Sequence, residues 1–311
     1  MKVVSLFSGA GGLDLGFLMA GHKIVWANDN FPDAVETYKT NIDSHIICED
    51  IRNIDVTQIP PCDIVIGGFP CQGFSIANMK RHADDQRNEL YKMLIKVIVA
   101  KRPKFFVAEN VKGILTLEHG KVIDMIMNDF NSIGYTAVYK VLNAADYGVP
   151  QLRNRVIIVG VQNGIGFKYE YPFPTHSENG GNGLEKWVSV KTALKNIPDP
   201  DQPNTMLNHT YSQFKLKFNG YIGNRAINPY RPAPTVTARG DNKGGVVVLH
   251  HPNNKRRMTC RELAAVQSFP LDYEFKGNRS SIYRQIGNAV PPLLGKAIAE
   301  QFNLYKENNH A

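Results

Sequence analysis

The chain has 311 residues, 43% hydrophobic and 21% charged, a globular composition with room for a sizeable core and for one large unit with a smaller one. No window approaches the roughly 18 unbroken apolar residues of a membrane helix, and the apolar stretch of MKVVSLFSGAGG is too short for a secretory signal, so a cytoplasmic protein is expected. The formal charge of +8 is concentrated between residues 202 and 261, where ten Lys and Arg face a single acid, Asp241, and five Phe and Tyr are interleaved, a composition that points to a polyanion such as nucleic acid.

In chain order, the first 160 residues alternate short β-branched runs with amphipathic helical patterns, the arrangement of an open parallel sheet covered by helices on both faces. Strands are expected at Val3–Phe7, Ile24–Ala27, His45–Cys48, Ile64–Ile66, Phe105–Ala108, Ala137–Leu142 and Val156–Val161. The clearest helix is Asn88–Lys101, with apolar residues at 90, 94, 97 and 98 and Pro103 as its stop. From about residue 162 the pattern breaks into turn-rich sequence, YEYPFPTHSENGGNG, and short strand-like pieces continue to about 250. Helical patterns return at Thr259–Gln267 and after the prolines at 291 and 292. The division expected is therefore 1–164 for a catalytic and cofactor-binding unit, 165–250 for a loop-rich unit, and 251–311 for helices packing back on the first.

The glycine loop FSGAGGLDLG follows the first strand and opens a helix, so its glycines allow a tight turn and close backbone approach by a ligand. Asp29, after the second strand, and Asp50, after the third, are acids at successive strand ends, placed to accept hydrogen bonds from ribose hydroxyls. The pattern favours an adenosine-containing cofactor, and the GxGGxxxG spacing leans away from a nicotinamide. The run Asp63–Gly68 delivers Cys71 of GGFPCQGFS to the same carboxyl edge, and the next strand delivers Glu109 of AENVKG. A thiolate beside a carboxylic acid is suited to adding to an electron-poor heterocycle while a ring nitrogen is held or protonated. Arg153 and Arg155 of QLRNRV begin the last strand at that level, where they orient a base or phosphate or favour the thiolate by charge.

The ordered series FSGAGG, GGFPCQGFS, AENVKG, QLRNR, RRMTCRELAAVQSFP and QIGNAVPP resembles the motifs of the DNA cytosine-5 methyltransferases from residue 3 to about 300, with only about 165–250 outside it. The resemblance implies an open, mostly parallel, Rossmann-like α/β domain that uses S-adenosylmethionine, with S-adenosylhomocysteine as product and no metal, and a smaller target recognition domain. It implies addition of Cys71 to carbon 6 of a flipped-out cytosine in a short duplex sequence, with Glu109 at ring nitrogen 3 and Arg153 and Arg155 as paired catalytic arginines. By the same resemblance Phe7, Gly9, Gly11, Leu13, Asp29, Asn30, Asp50, Ile51, Pro70, Asn288 and Ala289 bind the cofactor, Asp29 standing where many relatives have Glu. Gln72 and Ser75 match positions on the flipped nucleotide. Within the variable segment Arg225, Arg231, Arg239 and Lys243 are the candidates for contacting double-stranded DNA.

A monomer that protects host DNA from a companion restriction endonuclease, without membrane contact, is the expectation. A transfer RNA cytosine-5 methyltransferase and a catalytically silent DNA-binding homologue are the alternatives. Cys48, Cys62 and Cys260 have no CxxC or Cys/His ligand spacing and read as structural thiols, Glu262 as a structural residue, and His209, His250 and His251 as surface or DNA-contacting groups.

Overall fold

A computed structural model describes residues 1–69, 86–214, 226–239, 249–253 and 255–305, with backbone alone for 86–89. Seven strands, β1 (Lys2–Leu6), β2 (Lys23–Asp29), β3 (Ile46–Cys48), β4 (Ile64–Gly67), β5 (Phe105–Val111), β6 (Tyr135–Asn143) and β7 (Asn154–Gln162), form one sheet in the order β3-β2-β1-β4-β5-β7-β6. All seven expected strands are present. The pairings from β3 through β5 are parallel, whereas β7 runs antiparallel to both β5 and β6. The reversal places the beginning of β7 at the carboxyl end of β5, with Arg155 opposite Val111.

Strand alternation divides the core between the two faces. Val3, Ile64, Ile66, Phe105, Val107, Ile157 and Val159 point into one cluster, where they meet Phe17 of α1 (Gly12–Met19) and Leu294 and Ile298 of α8 (Pro292–Glu300). Val4, Val65, Phe106, Ala108, Val156 and Ile158 point into the other, against Leu94, Val97 and Ile98 of α3 (Gln86–Lys101) and Ile126 and Phe130 of α4 (Lys121–Ser132). The β2–β3 crossover carries α2 (Pro32–Asn41), with proline in its first turn. Gly16, the last glycine of the loop motif, has a packing role: a Cβ there would collide with the backbone of Gly295 and Lys296 in α8.

The variable segment contributes a two-stranded ladder, β8 (His176–Ser177) with β9 (Glu185–Lys186), and one helical turn, α5 (Val190–Ala193). Its buried Val190, Ile227, Ala233, Val236 and Leu249 share a third core with α6 (Cys260–Val266) and α7 (Arg279–Asn288). Thr259 and Glu262 cap α6 reciprocally, each side chain accepting the other's backbone N–H.

Several surface assignments change on folding. His209 and His250 are buried, not superficial; His209 bridges the Pro198 carbonyl at 2.9 Å and the Thr259 hydroxyl at 3.1 Å. Cys48 is exposed on edge strand β3. Among the described residues, three cations of the basic segment are buried and structural: Arg256 forks onto Glu262 at 2.7 and 2.8 Å, Arg257 is buried, and Arg261 ties together the carbonyls of Leu207, Pro270 and Tyr273. Glu262 is accordingly a buried structural partner.

Candidate active site

Strand ends β1, β2, β4 and β5, together with the C-terminus of α7, surround a cleft of about 620 Å³ at the carboxyl edge of the parallel strands. One wall is the glycine loop. Phe7 and Gly9 line it, both with left-handed backbone (φ 55° and 54°), a conformation costly for phenylalanine and tolerated where surrounding bonds fix it. Those bonds are visible: the Ser8 N–H donates to the Asn28 carbonyl at 2.9 Å, and the Gly9 N–H donates to Asp29 Oδ2 at 2.8 Å. Asp29 Oδ1 accepts the Phe31 N–H at 2.8 Å, so one carboxylate ties the loop to the end of β2. Burial pushes the Asp29 carboxyl above its ordinary range, and these backbone N–H groups and the charge of Arg284 oppose the rise.

Leu13, Asn30, Asp50, Ile51, Asn288 and Ala289 also line the cleft. Gly11 does not; it turns toward the second helix layer, where a Cβ would strike the Ile42 side chain. Asp50 caps a single 3-10 turn, Ile51–Asn53, and is held by a fork from Arg52 with contacts of 3.0 and 2.6 Å, which keeps its carboxyl below the usual range.

Glu109, near the end of β5, meets Arg155 at the start of β7, with Nε 2.7 Å from Oε1 and both side chains largely buried on the cleft wall. Gly68 lies against the other oxygen, where a side chain would crowd Glu Oε2. Arg153 is 1% exposed and gives its terminal nitrogens to three carbonyls, of Val236, Gly287 and Ala289, at 2.9 to 3.0 Å. Burial lowers its guanidinium to about 9.

Pro70, Cys71, Gln72, Ser75, Arg225 and Lys243 lie outside the described residues. Of the remaining DNA-contact candidates, Arg239 is exposed and Arg231 is exposed but ion-paired with Glu178. Two site features escaped the sequence reading. Asn110 is buried and donates from Nδ2 to the Phe69 carbonyl at 3.0 Å, fixing the chain immediately before Pro70; its place beside Glu109 was the available signal. Arg284 stacks over the Phe31 ring at 4.5 Å on the cleft rim, and it belongs to α7, a helix the pattern did not reveal.

The cleft suits an elongated nucleoside ligand: its volume is in the range of small-molecule sites, apolar Phe7, Leu13 and Ile51 face acidic Asp29 and Asp50, and the loop backbone leaves room for close approach. Among the described residues no cluster of His, Cys, Asp or Glu is arranged to hold a metal ion, and no helix is long and apolar enough to cross a membrane.

Comparison with known proteins agrees with this architecture. Residues 1–303 match the family model described as C-5 cytosine-specific DNA methylase. The type II methyltransferase M.NgoFVII of Neisseria gonorrhoeae is 43% identical over 94% of this chain and 83% of its own length; M.BsuRI of Bacillus subtilis is 37% identical over 96% and 78%. Among solved structures, a protein encoded within an Escherichia coli prophage superimposes with a TM-score of 0.77 at 24% identity over 99% of both chains. The Dnmt2 methyltransferase of Schizosaccharomyces pombe does so with a TM-score of 0.75 at 19% identity over 100% of both. These two likenesses establish the α/β methyltransferase fold. With a family match spanning nearly the whole chain and relatives of this identity, the protein belongs to the C-5 cytosine-specific DNA methylases and is a DNA (cytosine-5-)-methyltransferase.

Proposed function

We propose that the enzyme methylates carbon 5 of a cytosine flipped out of a short, specific duplex sequence, through a covalent adduct with Cys71. The observation that carries this reading is the Glu109–Arg155 pair on the wall of a nucleoside-sized cleft, at the strand edge from which the chain continues into Cys71. Bound S-adenosylmethionine supplies the methyl group as an electrophile for carbon 5.

Phe7, Gly9, Leu13, Asp29, Asn30, Asp50, Ile51, Asn288 and Ala289 hold that cofactor, with Pro70 from the neighbouring segment; Gly11 supports the loop from behind. Asp29 accepts from the ribose while its two backbone contacts keep the loop in place. The Cys71 thiolate adds to carbon 6 of the cytosine, and Glu109 holds a proton at ring nitrogen 3, so the displaced electron pair makes carbon 5 an enamine nucleophile. Arg155 orients the Glu109 carboxyl. Arg153 supports the same region by gripping the chain turns on either side of it. Removal of the carbon 5 proton then restores the ring double bond and releases the Cys71 thiolate. Access to both ring faces requires an extruded base.

Residues 165–250 form the target recognition unit, with Arg225, Arg231, Arg239 and Lys243 as DNA contacts and Gln72 and Ser75 near the flipped nucleotide. Residues 1–164 and the helices of 251–311 complete the catalytic body. The names of the type II relatives favour host-DNA protection alongside a restriction endonuclease; a cytoplasmic monomer is part of the same proposal. Replacing Cys71 by Ser tests the covalent step: the variant retains cofactor and DNA binding and loses methyl transfer, and near-normal turnover would overturn the adduct.

A further inference from the structure

Four chain segments that are remote in sequence meet in a buried polar seam behind the cleft. Gln151, just before β7, donates from Nε2 to Gln267 Oε1 at 2.7 Å, and both side chains are fully buried. Gln267, which ends α6, donates from its own Nε2 to the Ile286 carbonyl at 2.5 Å and the Ala289 carbonyl at 3.3 Å. These are among the last carbonyls of α7 and its exit, which no residue within the helix satisfies. Arg153 takes the Gly287 carbonyl and shares that of Ala289 with Gln267.

The fourth segment belongs to the variable unit. Val236 is held at both backbone groups: its N–H donates to Gln151 Oε1 at 2.9 Å, and its carbonyl accepts from Arg153 Nη1 at 2.9 Å. The next residues lie directly against the α7 exit, since a Cβ on Gly287 would collide with the backbone of Thr237 and Ala238. Arg239, exposed, follows at once, and Asn288 and Ala289 line the cleft. A shift of the 236–239 strand of chain cannot leave the 287–289 turn unmoved, because both share the same amide and guanidinium donors and there is no slack between their backbones.

We propose that Gln267, with Gln151, is a positioning residue that couples DNA engagement by the 236–239 segment to cofactor binding at the 288–289 turn. The inference rests on the proposed reading in which those two segments serve DNA and cofactor. Binding of either ligand sets the turn for the other, and linkage makes the effect reciprocal.

The test is the dissociation constant of S-adenosylhomocysteine by titration calorimetry, with and without an unmethylated duplex bearing the cytosine context the enzyme modifies. The wild-type protein binds more tightly with the duplex present, by a factor in the usual coupling range of about 5- to 150-fold. Gln267→Met brings that factor close to one, and Gln151→Met does the same from the opposite side if the first variant folds poorly. Gln285→Met is the control: Gln285 is a buried amide on α7 whose bonds run to Thr37 of α2 and to the Lys276 carbonyl ahead of α7, not to the variable segment, so the factor is retained even where its place on the cleft wall shifts both affinities together. A merely structural role for Gln267 would weaken both measurements alike and leave the factor unchanged, which would overturn the coupling. Wild-type protein that binds both ligands without mutual tightening would also overturn the coupling, with the proposed function intact; failure to bind S-adenosylhomocysteine at all would bring down that function and the coupling together.

Discussion

Arg155 and Glu109 face each other across the antiparallel β5–β7 pair, Nε to Oε1 at 2.7 Å, although 46 positions separate them in sequence. The pairing exists because β7 runs against its neighbours, bringing its first residues beside the last residues of β5. A charged partner within hydrogen-bond distance fixes the carboxyl rotamer, and Gly68 leaves its second oxygen unobstructed by a side chain.

In the proposed mechanism Glu109→Gln removes the group that holds a proton at cytosine nitrogen 3 while keeping its shape. A loss of about 10²- to 10⁴-fold in kcat is expected, the usual worth of positioned acid–base catalysis, with little change in affinity for S-adenosylhomocysteine. Single-turnover methylation with tritiated cofactor measures it; a kcat within threefold of wild type would remove Glu109 from the chemistry.

Asp29→Ala deletes the anchor of Gly9 and, in the proposed cofactor pose, the ribose acceptor as well. Loss of hydrogen bonds to a charged group costs about 1.5–3 kcal/mol, so cofactor affinity falls about 10- to 150-fold. Calorimetry on the variant reads this directly, and unchanged affinity would place the ribose elsewhere.

Arg153→Met leaves the Val236 and Gly287 carbonyls without their donor and the Ala289 carbonyl with Gln267 alone. Each unsatisfied group costs about 1–3 kcal/mol, so denaturant unfolding registers a loss of roughly 2 kcal/mol or more. A variant as stable as wild type would show that the grip on Val236, Gly287 and Ala289 is dispensable.

Asp14 gives a pH signature. It lies fully buried in the first turn of α1, accepting the Tyr38 hydroxyl at 2.8 Å, and burial pushes it up from 3.8 to about 6. Tyr273 and Asp29 are its other titratable neighbours. The folded state binds the proton more readily than the unfolded chain, so this carboxyl's contribution falls as pH rises from about 4 to about 6 and stays low above. Asp14→Asn, which keeps an acceptor for Tyr38, is therefore expected to be more stable than wild type by roughly 3 kcal/mol at pH 8, with the difference vanishing near pH 4. Melting curves across that range check the sign; a variant less stable at pH 8 would refute it.

The sheet was legible because each strand is a short apolar run set between turn signals, as at Phe105 to Ala108, whose residues are buried on both faces. Helix α7 was not, since its buried face mixes Ser281, Gln285 and Gly287 with Ile282, Tyr283 and Ile286 and so has no apolar stripe. Charge counting overstated the basic surface, because the acid that neutralises Arg256 is Glu262, one residue beyond the counted segment, and Arg261 is spent on carbonyls. The motif residues Glu109 and Arg155 were found by their strand-end positions, whereas the loop-anchoring role of Asp29 depends on backbone geometry that no spacing rule encodes.

Bisulfite sequencing of DNA from a methylation-free bacterial host expressing the protein reports activity, target base and sequence context together. One short motif carrying protected cytosines is the expected result. Uniformly unprotected DNA in cells that contain soluble protein would contradict sequence-specific methylation of cytosine in DNA.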